Sequence, residues 1–407
     1  KLLVQHYGDS KTSELSLIRQ EIKMKDVPYF GMLNNEVGYI KLTGFTQDAA
    51  KEVKEALLNL KNEKKCKSLV LDLRGNPGGL LQQAVDIVNL FVDKGQIVST
   101  TKGKIKEWDN TFKAVNNPVD LTMPLVVLVD RGSASASEVV SGALQDLDRA
   151  VVVGERTYGK GLVQQTRNLT YNSALKVTVA KYYIPSGRCI QALDYSNKTE
   201  DGAVLKVPDS LVTAFKTKGG RIVYDGAGVM PDIKVSSGNL SHIAYALLVK
   251  NHIFEYANLY LMKNKNVKIT AKEFQLTDKE YEDFVAYAKQ TDYTYTTEGE
   301  KELESFKKNA EEDKQLEDVK KEYDALLAKL AESKKDDFQK FKLEIKRLLE
   351  TEIVSRTYYE AGRLEASLKY DTELLEAQKV AADETKMKTI LSTIEKPTKP
   401  FNSNKKF

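Results

Sequence analysis

The sequence predicts an α/β domain followed by a helical domain, because glycine and proline are concentrated in one part of the chain. The chain has 407 residues, more than one average domain. Residues 1–240 contain 21 of the 23 glycines and seven of the nine prolines, whereas residues 241–407 contain two of each. Glycine and proline mark turns, so the first part turns often and the second rarely. We therefore place a domain boundary near residue 240.

Within residues 31–240, continuous apolar segments alternate with segments of helical periodicity. The predicted strands are VGYIKL, KSLVLDL, QIVSTT, PLVVLVD and AVVVGE, and the predicted helices are DAAKEVKEALLNLK, LLQQAVDIVNLFV and ASEVVSGALQDL. Apolar strands separated by amphipathic helices are typical of a largely parallel sheet with both faces covered. The segment LKVTVAKYYI predicts a further, antiparallel strand.

Residues 1–30 predict two short strands, KLLVQHY and SELSLIRQEI, joined by a polar turn. Two strands are too few for an independent domain, so we expect this segment to be the end of a larger one. The first residue is Lys1 rather than Met, which agrees with that expectation.

Residues 241–407 predict an amphipathic helical domain. The segment SHIAYALLVKNHIFEYANLYLM is predicted as one helix, and Thr277-x-x-Glu280 is a capping box that begins another. Two long stretches rich in Lys and Glu follow, at about 300–332 and 335–393. Their acidic and basic residues are interspersed, which favours solvated helix faces over nucleic-acid binding. We expect the apolar faces to pack on the core or on a second subunit as a homo-oligomer.

The composition excludes several classes of protein. The formal net charge of +4 does not indicate a protein that binds polyanions. The longest apolar runs have about five residues, far short of the roughly twenty needed for a membrane span. Two cysteines exclude a disulfide framework and a Cys-based zinc site; we interpret Cys66 and Cys189 as reduced thiols, although they could pair. The three histidines, His6, His242 and His252, form no metal motif, and their positions disfavour a Ser–His–Asp triad.

Serines occupy a predicted strand-to-helix turn, GSASAS at residues 132–137. The dipole and unpaired N–H groups of a helix N-terminus favour a serine alkoxide and an oxyanion. The alternative is that the serines only cap the helix.

Two further motifs contain groups that a serine hydrolase without histidine requires. Lys160 lies between two glycines in GERTYGKG, and a lysine amine can act as the base when burial in a closed site keeps it neutral. The phosphate-binding pattern GxxxxGK[ST] is rejected because Gly161 follows the lysine. The RGNPGG turn at residues 74–79 presents N–H donors that suit an oxyanion hole. Each motif alone is equally explained by a solvated lysine or a tight turn.

Together, the motifs resemble those of the carboxyl-terminal processing (tail-specific) proteases of serine peptidase family S41. The matching segments, in the family's order, are VLDLRGNPGGLL (70–81), VLVDRGSASASEVVSGALQD (127–146), VVVGERTYGKGLVQQ (151–165), YYIPSGRCIQ (182–191) and GAGVMPDIKV (226–235). The resemblance implies a crotonase-like α/β core at 31–240 with a mostly parallel sheet. It also implies that residues 1–30 are the C-terminal remnant of a PDZ domain, and that 241–407 is similar to the helical extension of Gram-negative envelope members.

The resemblance implies a Ser–Lys dyad. By position within the motifs, Ser135 is the nucleophile, Lys160 is the general base, and Gln164 orients the lysine amine. The backbone N–H groups of Ala136 and of one glycine would bind the oxyanion, Gly79 being preferred to its neighbour Gly78. Ser133 and Ser137 are interpreted as cap and packing residues.

The implied function is an endopeptidase that cuts proteins or peptides near exposed C-termini through an acyl-enzyme. No cofactor or metal, no nucleic acid and no membrane span is expected, and the implied location is the periplasm or cell envelope. One alternative is a catalytically spent scaffold that binds partners through the helical domain. A second is a crotonase-like acyl-CoA enzyme, in which the Ser and Lys motifs would be coincidental.

Overall fold

The computed structural model describes residues 1–5, 7–22, 24–198, 204–208, 212–236, 238–265 and 270–394. The chain divides into two compact units. One unit, called the helical unit, comprises Lys1–Glu21 and Gly238–Tyr370; the other, the α/β unit, comprises Ile22–Ser237 and Asp371–Phe407.

The described strands, in chain order, are β1 (Leu2–Val4), β2 (Ser13–Leu15), β3 (Tyr29–Met32), β4 (Val37–Lys41), β5 (Ser68–Asp72), β6 (Ile97–Gly103), β7 (Asn110–Lys113), β8 (Leu125–Val129), β9 (Val151–Gly154), β10 (Leu162–Asn168), β11 (Ala174–Tyr183), β12 (Leu193–Lys198), β13 (Val204–Lys206), β14 (Ala214–Lys216), β15 (Ile222–Tyr224) and β16 (Ile233–Lys234).

The described α-helices are α1 (Ala49–Leu58), α2 (Leu81–Asn89), α3 (Ala136–Asp146), α4 (His242–Val249), α5 (His252–Lys263), α6 (Asp278–Ala288), α7 (Glu298–Glu312), α8 (Leu316–Ser333), α9 (Asp337–Lys340), α10 (Lys342–Leu368, interrupted at Tyr359), α11 (Thr372–Ala382) and α12 (Glu384–Ser392). A π-helical turn at Asn59–Glu63 extends α1, and a 3₁₀ turn lies at Lys106–Trp108. Within the described ranges, none of the helices has the length and apolar character that crossing a bilayer requires.

A six-stranded sheet in the order β16-β9-β8-β5-β4-β3 forms the centre of the α/β unit. All of its neighbouring strands are parallel except the antiparallel pair β3–β4. The strands β5, β8 and β9 are fully buried, as their uninterrupted apolar sequences predict. The predicted fold class, an α/β core with a mostly parallel sheet, is confirmed.

Helices cover both faces of this sheet. Leu69 and Leu71 of β5 pack in one cluster with residues of α1, α2 and α3. Val70, which lies between them and therefore points to the opposite face, is also fully buried. The helix α11 contacts β4, β5, β8 and β9, and it covers this second face.

The helix α11 belongs to a different unit from the one that the composition predicts. The scarcity of glycine after residue 240 predicts a single helical domain there, but the segment from Asp371 onward belongs to the α/β unit. The reason is the apolar face of α11, on which Leu374, Ala377 and Val380 are buried. Amphipathic periodicity identifies such a face, but it does not identify the surface that buries it.

A second, four-stranded sheet of the α/β unit has the order β10-β11-β6-β7. Its strand β11 pairs antiparallel with both β10 and β6, so the antiparallel strand predicted from LKVTVAKYYI is confirmed. The strand β10 begins two residues after Lys160, and this sheet therefore holds one end of the lysine loop.

The helical unit contains a predicted helix that the structure divides. The segment predicted as one helix from 241 to 262 forms α4 and α5, because Asn251 adopts a left-handed backbone conformation with φ of 61°. The capping box at the start of α6 is confirmed: the N–H of Thr277 donates to Glu280, and the N–H of Glu280 donates to the Thr277 hydroxyl. Tyr281 and Phe284 of α6 are fully buried.

The first 21 residues contain the antiparallel pair β1–β2. They group with the helical unit, where a Cβ added to Gly8 would meet the end of the Met262 side chain. The derivation of residues 1–30 from a PDZ domain stays a prediction.

Candidate active site

Ser135 lies on a sharp turn between β8 and α3. Its backbone has φ of 55° and ψ of −113°, outside the regions that residues other than glycine normally occupy, and its side chain is half-buried. Strained residues of this kind are found preferentially at functional sites. A serine held on a strained strand-to-helix turn is also the arrangement of nucleophile elbows in other serine hydrolases.

Hydrogen bonds join this serine turn to the RGNPGG turn. The carboxylate of Asp130 accepts from the N–H of Ser133 at 3.0 Å and from the N–H of Gly75 at 2.8 Å. The Ser137 hydroxyl donates to the carbonyl of Asn76 at 2.9 Å. Ser133 and Ser137 are both fully buried. Asp130 and Ser137 therefore connect the two turns, whereas Ser135 is the serine of the motif that solvent reaches.

The two candidate oxyanion glycines differ in their contacts. A Cβ on Gly78 would lie 2.8 Å from the backbone nitrogen of Ala136, so this glycine lies directly against the serine turn. The N–H of Gly78 is already used, because it donates to the side chain of Asn76 at 2.9 Å. Over the described ranges, the N–H groups of Ala136 and Gly79 donate no hydrogen bond. Both amides are therefore available to an oxyanion, and the preference for Gly79 stays a prediction.

The carboxylate of Glu138 connects the serine turn to the lysine loop. Its Oε2 accepts from the N–H of Ser135 at 2.9 Å and from the N–H of Lys160 at 2.8 Å. Its Oε1 accepts from the hydroxyl of Thr157 at 2.5 Å and from the N–H of Gly159 at 2.7 Å. Burial raises the pKa of Glu138, although these four donors favour its ionised form. The structure thus brings the backbones of Ser135 and Lys160 to one oxygen atom.

Glu138 is a residue of the site for which the sequence predicts no role. The signal that identifies it is the spacing Ser135-x-x-Glu138, which is the same capping-box pattern that predicts the start of α6. In α3 the glutamate returns to the N-cap amide as that pattern requires, and its other oxygen reaches the lysine loop as well.

Close backbone packing explains the glycines on either side of Lys160. A Cβ on Gly159 would lie 2.2 Å from the Cβ of Ala192, and one on Gly161 would lie 2.6 Å from the nitrogen of Gln191. The N–H of Gly161 also donates to the side chain of Gln191 at 2.7 Å. Residues larger than glycine would therefore displace the lysine loop from this position.

The side chain of Lys160 is exposed, as is that of Gln164 in β10. The expectation that the lysine amine lies in a closed, water-free site is therefore not met in this conformation. In the part of the chain that the structure describes, the two side chains form no hydrogen bond with each other. The orienting role of Gln164 stays a prediction. It lies at an irregularity in the pairing of β10 with β11, between Val163 and Gln164.

The histidines and cysteines that the structure describes form neither a metal site nor a disulfide. His242 and His252 begin two different helices, α4 and α5, and His6 is outside the described residues. No group of three or more potential metal ligands occurs among the described residues. Cys66 and Cys189 are free thiols, as the sequence analysis interpreted them.

Comparison with protein families agrees with this geometry. Residues 36–198, which include Ser135, Lys160 and the RGNPGG turn, match the model described as peptidase family S41. These residues belong to peptidase family S41. Residues 243–381 match a second model, described as "Probable PDZ-protease, C-terminal helical domain". The resemblance on which the sequence analysis relied is therefore confirmed.

Individual relatives of the S41 domain carry matching names. The chain is 40% identical over 195 residues to a "Carboxy-terminal-processing protease" of Bartonella bacilliformis, covering 47% of this chain and 44% of that relative. It is 42% identical over 191 residues to a "Carboxyl-terminal-processing protease" of Synechocystis, covering 46% and 43%. The chain thus spans less than half the length of these relatives. A solved structure, "Photosystem II D1 C-terminal processing protease", is 30% identical with a TM-score of 0.41, covering 56% of this chain and 52% of that one.

Proposed function

We propose that this protein is a serine endopeptidase that cleaves protein substrates near their C-termini with a Ser135–Lys160 dyad. The observation that carries the proposal is the shared Glu138 carboxylate, which holds a serine on a strained turn beside the lysine loop. Buried hydrogen bonds to a charged acceptor are strong, so the two backbones are held in a fixed relationship.

The proposed reaction uses only groups of this chain and water. The Oγ of Ser135 attacks the scissile carbonyl carbon while the Nζ of Lys160 accepts the hydroxyl proton. The resulting oxyanion receives hydrogen bonds from the N–H groups of Ala136 and Gly79. Lys160 then donates the proton to the leaving amine, and an acyl-enzyme remains on Ser135. Water then gives a proton to Lys160 and attacks the ester carbonyl. The bond to the Ser135 Oγ breaks, Lys160 returns the proton to that oxygen, and the acid product is released.

The exposure of Lys160 adds a requirement to this mechanism. An amine in water is predominantly protonated at neutral pH and cannot accept the serine proton. Removal from water is the effect that favours the neutral amine. We propose that a bound substrate, or closure of the lysine loop over it, covers Lys160 before acylation.

The proposed substrates are proteins or peptides with exposed C-termini. The support is that similar proteins of Bartonella bacilliformis and Synechocystis are named carboxy-terminal-processing proteases, together with the family match over residues 36–198. We also propose a periplasmic or cell-envelope location, for which the resemblance of the helical extension to envelope members is the support. Fractionation of the producing cells tests it: recovery only in the cytosolic fraction would overturn it.

We further propose that the helical region mediates homo-oligomer formation. Phe306 of α7 and Leu326 and Leu327 of α8 are exposed apolar residues on adjacent helices. Sedimentation velocity of the full chain and of a Phe306→Ser/Leu326→Ser variant tests this. A wild type that sediments as a monomer at high concentration would overturn the proposal. Deleting everything after residue 300 is a poor test, because it also removes α11 from the α/β unit.

The experiment that tests the function is hydrolysis of casein and of peptides with free C-termini. Ser135→Ala should abolish turnover, because it removes the nucleophile. The matched control is Ser141→Ala, which removes a hydroxyl from the same helix that bonds only to backbone carbonyls of that helix. Ser133→Ala and Ser137→Ala are expected to retain activity, but they alter the contacts between the turns. Wild-type turnover by Ser135→Ala would overturn the proposed mechanism.

A further inference from the structure

We propose that Arg74, Asp371 and Glu373 are positioning residues for the oxyanion hole, so that α11 is a structural component of the active site. This inference rests on the proposed function, because it assigns a role in the same reaction. It concerns residues about 300 positions apart in the sequence, and all three belong to the α/β unit.

The guanidinium of Arg74 joins the end of β5 to the start of α11. Its Nη2 lies 2.6 Å from both Asp72 and Asp371, and its Nη1 donates to Glu373 at 2.6 Å. The Arg74 side chain is 13% exposed, and that of Glu373 is 4% exposed. A planar guanidinium with several fixed donors suits such a site, because it binds more than one carboxylate in one orientation.

The same cluster fixes the backbone of Arg74. Its N–H donates to Asp72 at 2.9 Å, and its carbonyl accepts from the amine of Lys41 at 2.7 Å. Both polar backbone groups of this residue are therefore held. The next residue, Gly75, donates to Asp130 in the serine turn. The position of Arg74 thus sets where the turn at 75–79 begins, and this turn ends with the proposed donor Gly79.

The charges in the cluster depend on one another. Asp72, Asp371 and Glu373 supply three carboxylates, and Arg74 and Lys41 supply two cations, all largely removed from solvent. Removing one partner from a buried ionic cluster leaves the others uncompensated. Without Asp371 and Glu373, the Arg74 side chain has Asp72 alone as its anchor, and we infer that the backbone of the turn gains freedom.

The cluster includes the residue at which the chain enters the α/β unit. The chain leaves the helical unit at Tyr370 and enters the α/β unit at Asp371, which is the residue that Arg74 binds. Asp371 is also the N-cap of α11, where its side chain accepts from the N–H of Leu374 at 2.9 Å. An event that displaces the start of α11 therefore acts on Arg74 directly.

The test uses the full chain with Asp371→Asn and Glu373→Gln combined. Asparagine is as good an N-cap as aspartate, so α11 keeps its cap and loses only the charge. The readouts are kcat, KM and hydrogen exchange of the amides at residues 74–79. We expect kcat to fall by about tenfold to a hundredfold with KM nearly unchanged, because oxyanion donors act on the transition state. Exchange at 74–79 should be faster than in the wild type.

Two further variants control for simple loss of the fold. Glu376 lies on the same helix and pairs with Lys379 and Lys386. Glu376→Gln should therefore leave kcat, KM and the exchange at 74–79 unchanged. Arg74→Lys keeps the charge and loses the branched donor geometry, so its kcat should lie between those of the wild type and the double variant.

The outcomes for the two proposals are distinguishable. Unchanged exchange at 74–79 in the double variant would overturn the inference, whatever the activity. A fall in kcat accompanied by an equal rise in KM would overturn it too. Absence of any peptidase activity in the wild type would overturn the proposed function, and exchange at 74–79 would still decide whether α11 positions the turn. Faster exchange restricted to this turn supports the inference.

Discussion

Ser135 and Lys160 donate their backbone N–H groups to the same oxygen of one buried carboxylate, that of Glu138. The distances are 2.9 and 2.8 Å. The serine turn follows β8, and the lysine loop follows β9, its neighbour in the parallel sheet. Parallel strands deliver the loops at their carboxyl ends to the same edge of the sheet, where open α/β sheets commonly bind ligands. Glu138 then fixes the separation of the two loops.

The first prediction follows from this contact. In Glu138→Gln one oxygen acceptor becomes an NH₂ group that faces two N–H or O–H donors, so two hydrogen bonds are lost. Each such bond to a charged group contributes about 1.5–3 kcal/mol, and the serine and lysine backbones should separate. We expect kcat to fall by about tenfold or more.

The control for this variant is Glu155→Gln, at the start of the lysine loop, directly after β9. Glu155 pairs with the exposed Arg131 and accepts from the Ser236 hydroxyl, and loss of its charge should leave kcat within about twofold, as expected for surface ion pairs. Equal kcat values for Glu138→Gln and the wild type, on the peptide assay, would show that the carboxylate does not determine the relationship of the two loops.

The sequence predicts the central sheet well because its strands are buried on both faces. Uninterrupted apolar segments such as Leu125–Val129 have few alternative structures, and the glycine-rich turns that follow them mark where they end. The same reasoning locates Ser135 and Lys160, since a serine or lysine beside glycines at the end of such a strand is unusual.

Long-range burial and local backbone conformation were not predictable in the same way. The periodicity of α11 shows that Leu374 and Val380 need a partner surface, but a one-dimensional pattern contains nothing that distinguishes the sheet from another helix. The break at Asn251 depends on a single left-handed residue within an otherwise helical pattern. The role of Glu138 depends on contacts with a loop twenty residues away, which no local rule specifies.

The second prediction concerns the glycine that lies against the serine turn. A Cβ on Gly78 would lie 2.6 Å from the Ala134 carbonyl oxygen and 2.8 Å from the Ala136 nitrogen, and its φ is 96°. Gly78→Ala must therefore displace one of the two turns. We expect a loss of kcat of about a hundredfold or more, comparable to removal of an oxyanion donor.

Gly75→Ala is the matched control for Gly78→Ala. Gly75 lies in the same turn and also has positive φ, but an added Cβ meets nothing within 4 Å. This variant should lose about 1–2 kcal/mol of stability and retain most of its kcat. If both variants have the same kcat, close approach of Gly78 to the serine turn is not required for catalysis.

The third prediction concerns the base. Only a neutral amine accepts a proton, so kcat/KM of the wild type should rise as the pH is raised. Lys160→Arg keeps the positive charge, but a guanidinium does not deprotonate in this range, so the variant should be inactive at every pH. Lys181→Arg, an exposed lysine of β11, is the control and should follow the wild-type profile. Activity of Lys160→Arg equal to that of the wild type would show that Lys160 is only a solvated loop residue.

The last prediction concerns acid stability, and it follows from the cluster around Arg74. Burial is the largest single influence on the pKa of Asp72 and acts to raise it. The attraction of Arg74 and Lys41 and the hydrogen bonds from Arg74 together outweigh burial, and the pKa of this carboxyl is held well below its usual range. The unfolded chain, in which an aspartate has a pKa of about 3.9, therefore binds this proton more readily than the folded protein does. The contribution of Asp72 to stability is thus present above pH 4 and is lost as the pH falls below it.

We expect wild type to exceed Asp72→Asn in the free energy of unfolding at pH 7, and the difference to shrink below about pH 4 by up to about 1.4 kcal/mol per pH unit. Denaturant unfolding between pH 7 and pH 2.5 measures both curves. Asp93→Asn, which removes an exposed carboxylate outside the cluster, should follow the wild type throughout. A difference between wild type and Asp72→Asn that stays constant down to pH 2.5 would mean that Arg74 and Lys41 do not stabilise the ionised Asp72 in the folded protein.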